Sequence, residues 1–201
     1  MNSLLPVLVI VGGINGAGKS SVVRIMAQAE ILAPATFLDP DRVTTDILAA
    51  RPGISLATAN FAALRFIDRE IARLIGAGRS FMVETVLANH AYRRICLTAK
   101  AQGMLVRLVY IGVPTIEDAI ARVALRVSKG GHDVPEADIR RRWPRTHENL
   151  AWFAQHANAV DVFANIWNAA PKLIAQARQG RITLLDPDTL PAVTSVLRPL
   201  T

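Results

Sequence analysis

Cysteine is almost absent from this sequence: Cys96 is the single one among 201 residues. One cysteine excludes a disulfide scaffold and a cysteine-rich zinc site, and the four histidines are spread along the chain. With 51% hydrophobic and 19% charged residues, the composition also excludes a disordered or collagen-like chain. We therefore expect one compact domain over residues 1–201, with Cys96 as a reduced thiol in its core.

Aromatic residues and long apolar runs are also scarce. Phe, Trp and Tyr make up 5% of the chain, and no run of Arg or Lys is interleaved with them as a base-stacking surface would need. We therefore do not expect a nucleic acid as the partner. The apolar segment from Leu4 to Val11 is about half the length of a membrane-spanning helix and lacks the basic leader of a signal peptide. We expect it to be a buried strand in a cytoplasmic protein that does not bind membranes.

Acidic residues are in the minority, with 16 Asp and Glu against 23 Lys and Arg, a net charge of +7. Arginine supplies 19 of the 23 cations, and its forked guanidinium suits carboxylates and phosphates. Seven cations and three anions lie between residues 122 and 145, so +4 of the net charge falls in this one segment. The charge therefore indicates an anionic ligand bound near that segment.

Short β-branched runs alternate with amphipathic stretches, which is the pattern of a parallel sheet covered by helices. The predicted strands are residues 7–11, 36–38, 81–83, 105–111, 160–166 and 182–185. The first predicted helix follows the glycine loop that ends at Gly18 and runs to about Ile31. The others run from near Val43 to Pro52 and over 55–76, 91–102, 115–127 and 136–156, with Ser55 as an N-cap. Residues 186–201 contain three prolines and are expected to form a terminal arm. The predicted fold class is α/β, a three-layer sandwich with a mostly parallel sheet.

The segment GINGAGKS, from Gly13 to Ser20, matches the Walker A pattern G-x-x-x-x-G-K-[ST] between a predicted strand and a predicted helix. Its glycines let backbone N–H groups turn inward around a phosphate, and the helix N-terminus adds a partial positive charge. We expect Lys19 to reach the β- and γ-phosphates, Ser20 to ligate Mg²⁺ and Ser21 to donate to the α-phosphate. The predicted nucleotide-binding residues are Gly13, Ile14, Asn15, Gly16, Ala17, Gly18, Lys19, Ser20 and Ser21.

Carboxylates follow the next two predicted strands, at the sheet edge where such folds bind ligands. One of Asp39 and Asp41 can accept a proton from an acceptor hydroxyl there, although Asp39 equally suits a helix cap or an Asx turn. Glu84, followed by Thr85, can hold an acceptor hydroxyl or a water on Mg²⁺, or it can cap the next segment. Because no clean hhhhD or hhhhDE motif of a motor or switch is found, a small-molecule kinase is the favoured function.

The basic segment of residues 122–145 predicts a lid. Arg122 and Arg126 lie at i and i+4 and share one helix face, and a Lys-Gly-Gly-His turn at 129–132 separates them from the next helix. Arginines 140–142 lie about 100° apart around that helix and cannot all face one ligand. We expect the lid to close over the phosphates, with Arg122 and Arg141 as substrate ligands. His132 is a candidate lid donor, or it stabilises the turn.

Together these motifs resemble the zeta toxin family of P-loop kinases over about residues 5–168. The resemblance is carried by GG-x-NGAGKS from Gly12, by DPD at 39–41, by Glu84-Thr85, and by RVALRVSKGGHDVPEADIRRRW at 122–143. It implies a P-loop kinase fold, ATP with Mg²⁺, and phosphorylation of the sugar 3′-hydroxyl of UDP-N-acetylglucosamine. It also implies a separate antitoxin protein as a partner. The length of the chain is similar to that of the short branch of the family.

The resemblance also assigns roles to individual residues. Lys19 matches the P-loop lysine, and Asp41, the second acid of its motif, matches the catalytic base. Glu84 matches the acceptor-binding acid. Arg126 is the best match for a phosphate-binding lid arginine, and His132 stands where a second arginine is expected.

Two other functions fit the same residues. A nucleotide-dependent regulatory module would hydrolyse ATP slowly, with no acceptor that raises the rate. An RNA or nucleoside phosphotransferase would also suit the basic lid, and salt-dependent RNA binding at nanomolar affinity would favour it.

Overall fold

The structure is a computed structural model that describes residues 5–28 and 36–201. Its strands are β1 (Val7–Gly12), β2 (Thr36–Leu38), β3 (Phe81–Thr85), β4 (Leu105–Gly112), β5 (Ala159–Ala164), β6 (Lys172–Arg178) and β7 (Arg181–Leu184). Its α-helices are α1 (Lys19–Gln28), α2 (Pro40–Ala50), α3 (Leu56–Gly76), α4 (Ala91–Ala101), α5 (Ile116–Ser128), α6 (Glu136–His156) and α7 (Pro191–Thr194), followed by a 3₁₀ turn at Arg198–Leu200.

The seven strands form one sheet in the order β2-β3-β1-β4-β5-β6-β7. The first five are parallel, and β6 and β7 extend the sheet as antiparallel strands. In the register of β1 with β3, Val11 lies opposite Glu84 and Gly12 opposite Thr85. The residues that follow β1 and β3 therefore lie side by side at the carboxyl edge of the sheet.

Helices cover both faces of the sheet, which confirms the predicted α/β class. Along β1, Leu8 and Ile10 belong to one core cluster and Val9 and Val11 to the other, because successive strand side chains point to opposite faces. All four are nearly or fully buried. A continuous β-branched and aliphatic run is therefore what this central strand requires.

Local signals explain where several helices begin. The Ser55 hydroxyl accepts a hydrogen bond from the Thr58 backbone N–H, as predicted for the start of α3. Thr115 and Asp118 form a capping box at the start of α5. The bounds of α6 are those predicted, whereas the predicted end of α1, at about Ile31, lies outside the described residues. No helix within residues 5–28 and 36–201 is long and apolar enough to span a membrane.

Several parts of the chain differ from the sequence prediction. Strand β6 was not predicted, and α2 begins at Pro40 rather than near Val43. Glu84 and Thr85 lie within β3, which was predicted to end at Val83. The predicted terminal arm packs against the core, where Leu190 and Val193 are fully buried. The side chains of Leu190 and Val193 lie so close to Gly112 that a residue with a side chain at position 112 would collide with them.

Candidate active site

The segment from Gly13 to Ser20 forms the turn between β1 and α1 that the motif predicts. Gly16 has a φ of +80° and Gly18 a φ of +83°, conformations that favour glycine. A Cβ at Gly16 would lie 2.3 Å from the Ala119 carbonyl oxygen, and a Cβ at Gly18 would lie 2.3 Å from Asn165 Nδ2. Both glycines are therefore required by backbone conformation and by the segments packed on the loop.

Lys19 is buried at the start of α1, with a relative exposure of 8%. Its Nζ donates to the Ile14 carbonyl oxygen at 3.3 Å and lies 3.8 Å from Glu84 Oε1. Burial lowers the pKa of Lys19, and the nearby carboxylates of Glu84 and Asp41 act against this shift. The loop therefore holds its ammonium group where little water stabilises the charge, so a phosphate would be a strong ligand.

Glu84 approaches the P-loop from the end of β3. The Ser20 hydroxyl donates to its carboxylate at 3.0 Å from Oε2, and burial raises the pKa of Glu84. A hydroxyl and a carboxylate oxygen side by side are hard ligands of the kind that Mg²⁺ takes from proteins, often only one or two of them. Within the described ranges no cluster of three His, Cys, Asp or Glu that could hold a metal ion is found. The donor set thus fits an ion held mainly by phosphates and water.

The two aspartates after β2 have different environments. Asp39 is the N-cap of α2, and its Oδ1 accepts from the backbone N–H groups of Asp41 and Arg42 at 2.9 and 3.3 Å. Asp41 lies in the first turn of α2, is exposed, and lines the same cleft as Lys19 and Glu84. The capping alternative for Asp39 is therefore realised, and the carboxylate of Asp41 is accessible to a ligand.

Thr85 follows Glu84 and also lines the cleft. Its hydroxyl accepts a hydrogen bond from the Leu87 backbone N–H at 3.0 Å. Leu87 is fully buried and has a φ of +60°, an uncommon conformation for a non-glycine residue. Thr85 therefore helps to shape the turn after β3 as well as the wall of the cleft.

Helices α5 and α6 place the predicted lid residues around the cleft. Arg122 Nη2 donates to the Asn165 carbonyl oxygen at 2.8 Å, and Arg126 Nη2 donates to the His132 carbonyl oxygen at 2.6 Å. Arg141 pairs with Asp138 at 2.7 Å. The four predicted residues Arg122, Arg126, His132 and Arg141 all line the cleft. His132 therefore contributes its carbonyl group to the turn, and its exposed ring faces solvent at the cleft.

Several residues of the cleft were not selected from the sequence. Arg142 Nη1 donates to Asn15 Oδ1 in the P-loop at 3.0 Å, and Arg142 Nη2 pairs with Asp138 at 3.2 Å. Asn165 Nδ2 donates to the Ala17 carbonyl oxygen at 2.7 Å. The sequence signal for Arg142 was the Arg triplet, but it could not show which member faces the P-loop. Asn165 carried no motif, because its partner lies 148 residues away in the chain.

The cleft has a volume of about 1260 Å³ and two chemically different sides. One side is formed by the P-loop, the lid arginines and the loop after β5. The other is formed by the start of α2, by α3, by the end of β3 with the turn after it, and by the start of α4, and it includes Asp41, Leu56, Leu64, Glu84 and Tyr92. Two ligands can therefore lie on opposite sides of Lys19 and Glu84.

A family model described as AAA domain matches residues 8–142. Among curated proteins, an uncharacterized protein of Haemophilus influenzae is 29% identical over 131 residues, which are 65% of this chain and 88% of that protein.

Two solved structures share the fold at low sequence identity. A chain of the AvrRxo1-ORF1:-ORF2 complex with ATP aligns with a TM-score of 0.75 and 18% identity, covering 97% of this chain. The alignment covers 65% of that chain, so the present chain spans slightly less than two thirds of its length. A chain of the PezAT chromosomal toxin-antitoxin system of Streptococcus pneumoniae aligns with a TM-score of 0.63 and 16% identity, covering 100% of this chain and 89% of that one. The fold is thus a P-loop kinase-like α/β fold.

Proposed function

The chain belongs to the AAA domain family, and on that premise we propose that it is an ATP-dependent kinase that phosphorylates a hydroxyl group of a small molecule. One observation carries the proposal: Lys19, Ser20 and Glu84 form a contiguous polar group at the P-loop, and Asp41 lines the same cleft. A site for hydrolysis alone does not need a second ligand side with an accessible carboxylate. The AvrRxo1 complex with ATP supports a nucleotide as one ligand.

The chain's own groups suffice to hold a triphosphate. Backbone N–H groups of the loop from Gly13 to Ser20 and the N-terminus of α1 face the phosphates, and Lys19 neutralises their charge. Mg²⁺, when bound through Ser20 and Glu84, would supply further positive charge against the β- and γ-phosphates. Ser21, in the first turn of α1, would donate a hydrogen bond to the α-phosphate. The nucleotide side of the cleft therefore provides charge stabilisation before any reaction begins.

The side of the cleft that would bind the phosphate-accepting molecule supplies the general base. In the proposed reaction Asp41 takes the proton from the hydroxyl group of the acceptor molecule. The oxygen of that hydroxyl group forms a bond to the γ-phosphorus, and the bond from the γ-phosphorus to the β–γ bridging oxygen breaks. ADP leaves with the bonding electrons. Asp39 fixes the first turn of α2, which positions Asp41. Arg126 and Arg142 neutralise the charge of the transferred group as the lid of residues 122–145 closes.

The zeta toxin resemblance extends the proposal to the acceptor and the partner. We propose UDP-N-acetylglucosamine as the first acceptor to test, with Glu84, Thr85 and Arg141 as its ligands. We also propose a separate antitoxin protein as a partner, because the PezAT structure belongs to a toxin-antitoxin system. The single domain of residues 1–201 would then be the toxin component in the cytoplasm.

The proposal is tested by incubating the chain with γ-labelled ATP, Mg²⁺ and a metabolite extract, and by identifying labelled products by mass spectrometry. We expect Asp41→Asn to lower label transfer by at least about a hundredfold, because general base catalysis contributes about 10²–10⁴. ATP binding should stay within about twofold. Asp46→Asn is the matched control, since Asp46 is exposed on the same helix and does not line the cleft.

A labelled UDP-N-acetylhexosamine phosphate would identify both the reaction and the acceptor. Full transfer by Asp41→Asn would contradict the assignment of the base. ATP hydrolysis that no extract component raises would favour a regulatory module over a kinase.

A further inference from the structure

Helix α3 carries one apolar face that is covered over only part of its length. In the second half of the helix, Ile67, Ile71 and Leu74 are buried in the core. In the first half, Leu56 and Leu64 are 45% and 55% exposed. Positions 56, 60, 64, 67, 71 and 74 follow one another at spacings of three or four residues, so they share one face of the helix. The exposed leucines therefore continue a core-packing face beyond the core.

The uncovered part of this face forms a wall of the cleft. Leu56, Asn60 and Leu64 all line the cleft, on the side that also carries Asp41 and Glu84. A single exposed leucine on a protein surface needs no explanation, but two on one helix face inside a cleft form an apolar lining of the kind that binds ligands. Their exposure costs free energy, which an apolar ligand group that covers both side chains would recover.

The turn after β3 and the start of α4 extend this apolar lining. Ala88 and Tyr92 line the same cleft, and the Tyr92 ring packs on the core with only part of its surface exposed. The turn is held in place, because Asn149 Nδ2 donates to the carbonyl oxygens of Leu87 and Asn89 at 2.7 and 3.3 Å. This part of the cleft wall is therefore preformed, and little of it has to become ordered when a ligand binds.

The charges that line the cleft are divided between its two sides. Within the described ranges, the lining cations all belong to the P-loop, α5 or α6: Lys19, Arg122, Arg126, Arg141, Arg142 and Arg145. The lining residues of α2, α3, β3 and α4 are acidic, uncharged polar or apolar. A phosphate or carboxylate of an acceptor would therefore lie towards the arginines, and the space against α3 suits a group without charge.

We propose that Leu56 and Leu64 bind an apolar group of the acceptor, an aliphatic chain or a ring that lies close to the hydroxyl group facing Asp41. The proposal rests on the proposed function, because it assigns this group to the phosphate-accepting molecule. It adds a substrate class, namely alcohols that carry an apolar part. A free sugar without such a part does not meet this requirement, and a nucleotide sugar meets it only through its base or its N-acetyl group.

The first test measures binding without relying on phosphate transfer. The uncharged fluorophore N-phenylnaphthylamine is titrated into the full chain in the presence of saturating ATP and Mg²⁺. We expect Leu64→Gln to weaken its binding by about tenfold, whereas Phe61→Gln should stay within about twofold of the wild-type affinity. Phe61 is the matched control, because it is 62% exposed on the same helix and does not line the cleft.

The second test uses the labelled-ATP assay and the acceptor that it identifies. We expect Leu64→Gln to raise the KM for that acceptor by about tenfold, with a smaller change in kcat, because the lost contact is one of binding. Leu64→Met, which keeps an apolar side chain, should recover most of the affinity. Phe61→Gln again serves as the control.

The outcomes separate this proposal from the proposed function. Phosphorylation of an acceptor with the same KM in Leu64→Gln and in the wild type would overturn the apolar subsite and leave the kinase standing. Equal losses of fluorophore binding in Leu64→Gln and Phe61→Gln, or no binding by the wild type, would also overturn the subsite. Fluorophore binding that depends on Leu64 in a chain that phosphorylates no acceptor would overturn the kinase proposal and, with it, the assignment of the bound group to an acceptor.

Discussion

Lys19 and Glu84 carry opposite charges at a site where water has little access. Burial lowers the pKa of Lys19 and raises that of Glu84, so each group loses part of the stabilisation that water would give its charge. The pair at 3.8 Å offsets part of that loss. A triphosphate beside Lys19 and a cation beside Glu84 would each supply the missing opposite charge. Poor solvation of these two residues therefore favours the bound nucleotide.

His147 gives the chain a specific dependence of stability on pH. It is buried in α6, with its ring centroid 4.7 Å from that of Trp143, and burial lowers its pKa to about 4, from 6.5. Between those two values the unfolded chain binds a proton that the folded chain excludes. The contribution of this residue to stability is therefore present above pH 6.5 and is lost as the pH falls towards 4.

We expect the loss attributable to His147 to reach up to about 3 kcal/mol of the free energy of unfolding. This loss is measured by urea unfolding of the wild type and of His147→Gln at pH 7.5 and pH 4.5. Glutamine does not titrate, so the variant lacks the pH dependence that His147 contributes. The difference in stability between the two pH values should be smaller for His147→Gln. The same difference in both proteins would contradict the assignment.

At the scale of elements, α6 joins the proposed lid to the proposed acceptor side of the cleft. Its first half carries Arg141 and Arg142, and its second half holds the turn after β3: Thr146 Oγ1 donates to the Val86 carbonyl oxygen at 3.0 Å, and Asn149 Nδ2 donates to that of Leu87 at 2.7 Å. Pro144 lies between the halves and cannot donate a backbone hydrogen bond, which weakens the helix there. The missing hydrogen bond thus falls between the half of α6 that carries the arginines and the half that holds the turn after β3.

Arg142 makes the contact from α6 to the P-loop, through Asn15 at 3.0 Å. We expect Arg142→Ala to weaken ATP binding by about tenfold or more, since hydrogen bonds to charged groups contribute about 1.5–3 kcal/mol. Arg140→Ala is the matched control, because Arg140 pairs with Glu136 and Glu117 outside the cleft. The affinity of Arg140→Ala for ATP should stay within about twofold of the wild-type value. Equal losses in both variants would show that only the overall charge of the lid matters.

At the scale of the whole molecule, the C-terminal segment packs on the core beside the candidate active site. The side chains of Leu190 and Val193 lie against Gly112 at the carboxyl end of β4, and both are fully buried. The backbone N–H of Asn165 binds the carbonyl oxygen of the same Gly112. Packing of the last residues therefore supports the end of β4, to which the loop after β5 is hydrogen-bonded.

We expect Leu190→Ala to lower the free energy of unfolding by about 2–5 kcal/mol, from lost burial and the cavity it leaves. Leu185→Ala should change it by about 0.5 kcal/mol or less, because Leu185 is 51% exposed. Urea denaturation of the two variants makes the comparison. A small effect for Leu190→Ala would show that the segment adds little to the core.

Much of the framework follows from short-range information. The P-loop pattern and the capping role of Ser55 depend on residues a few positions apart in the chain, so both could be predicted. The apolar residues of α3 are not all buried: Phe61 and Leu64 are exposed, whereas Ile67 and Ile71 are buried. Periodicity identifies an apolar helix face, and only the packing partners determine which part of it is covered. Strand β6 was missed for the same reason, since its pairing with β5 and β7 is what makes it a strand.

The sequence by itself determined the phosphate-binding loop, the alternation of strands and helices, and the acids at the ends of β2 and β3. Each of these depends on neighbouring residues or on the general edge rule for parallel sheets. The tertiary structure alone decided that Glu84 meets Ser20, that Arg142 is the member of its triplet that reaches Asn15, and that Trp167 lies beside Arg122. These contacts join residues 45 to 127 positions apart, and no local preference encodes them; only the packing of helices and loops around the sheet brings the partners together.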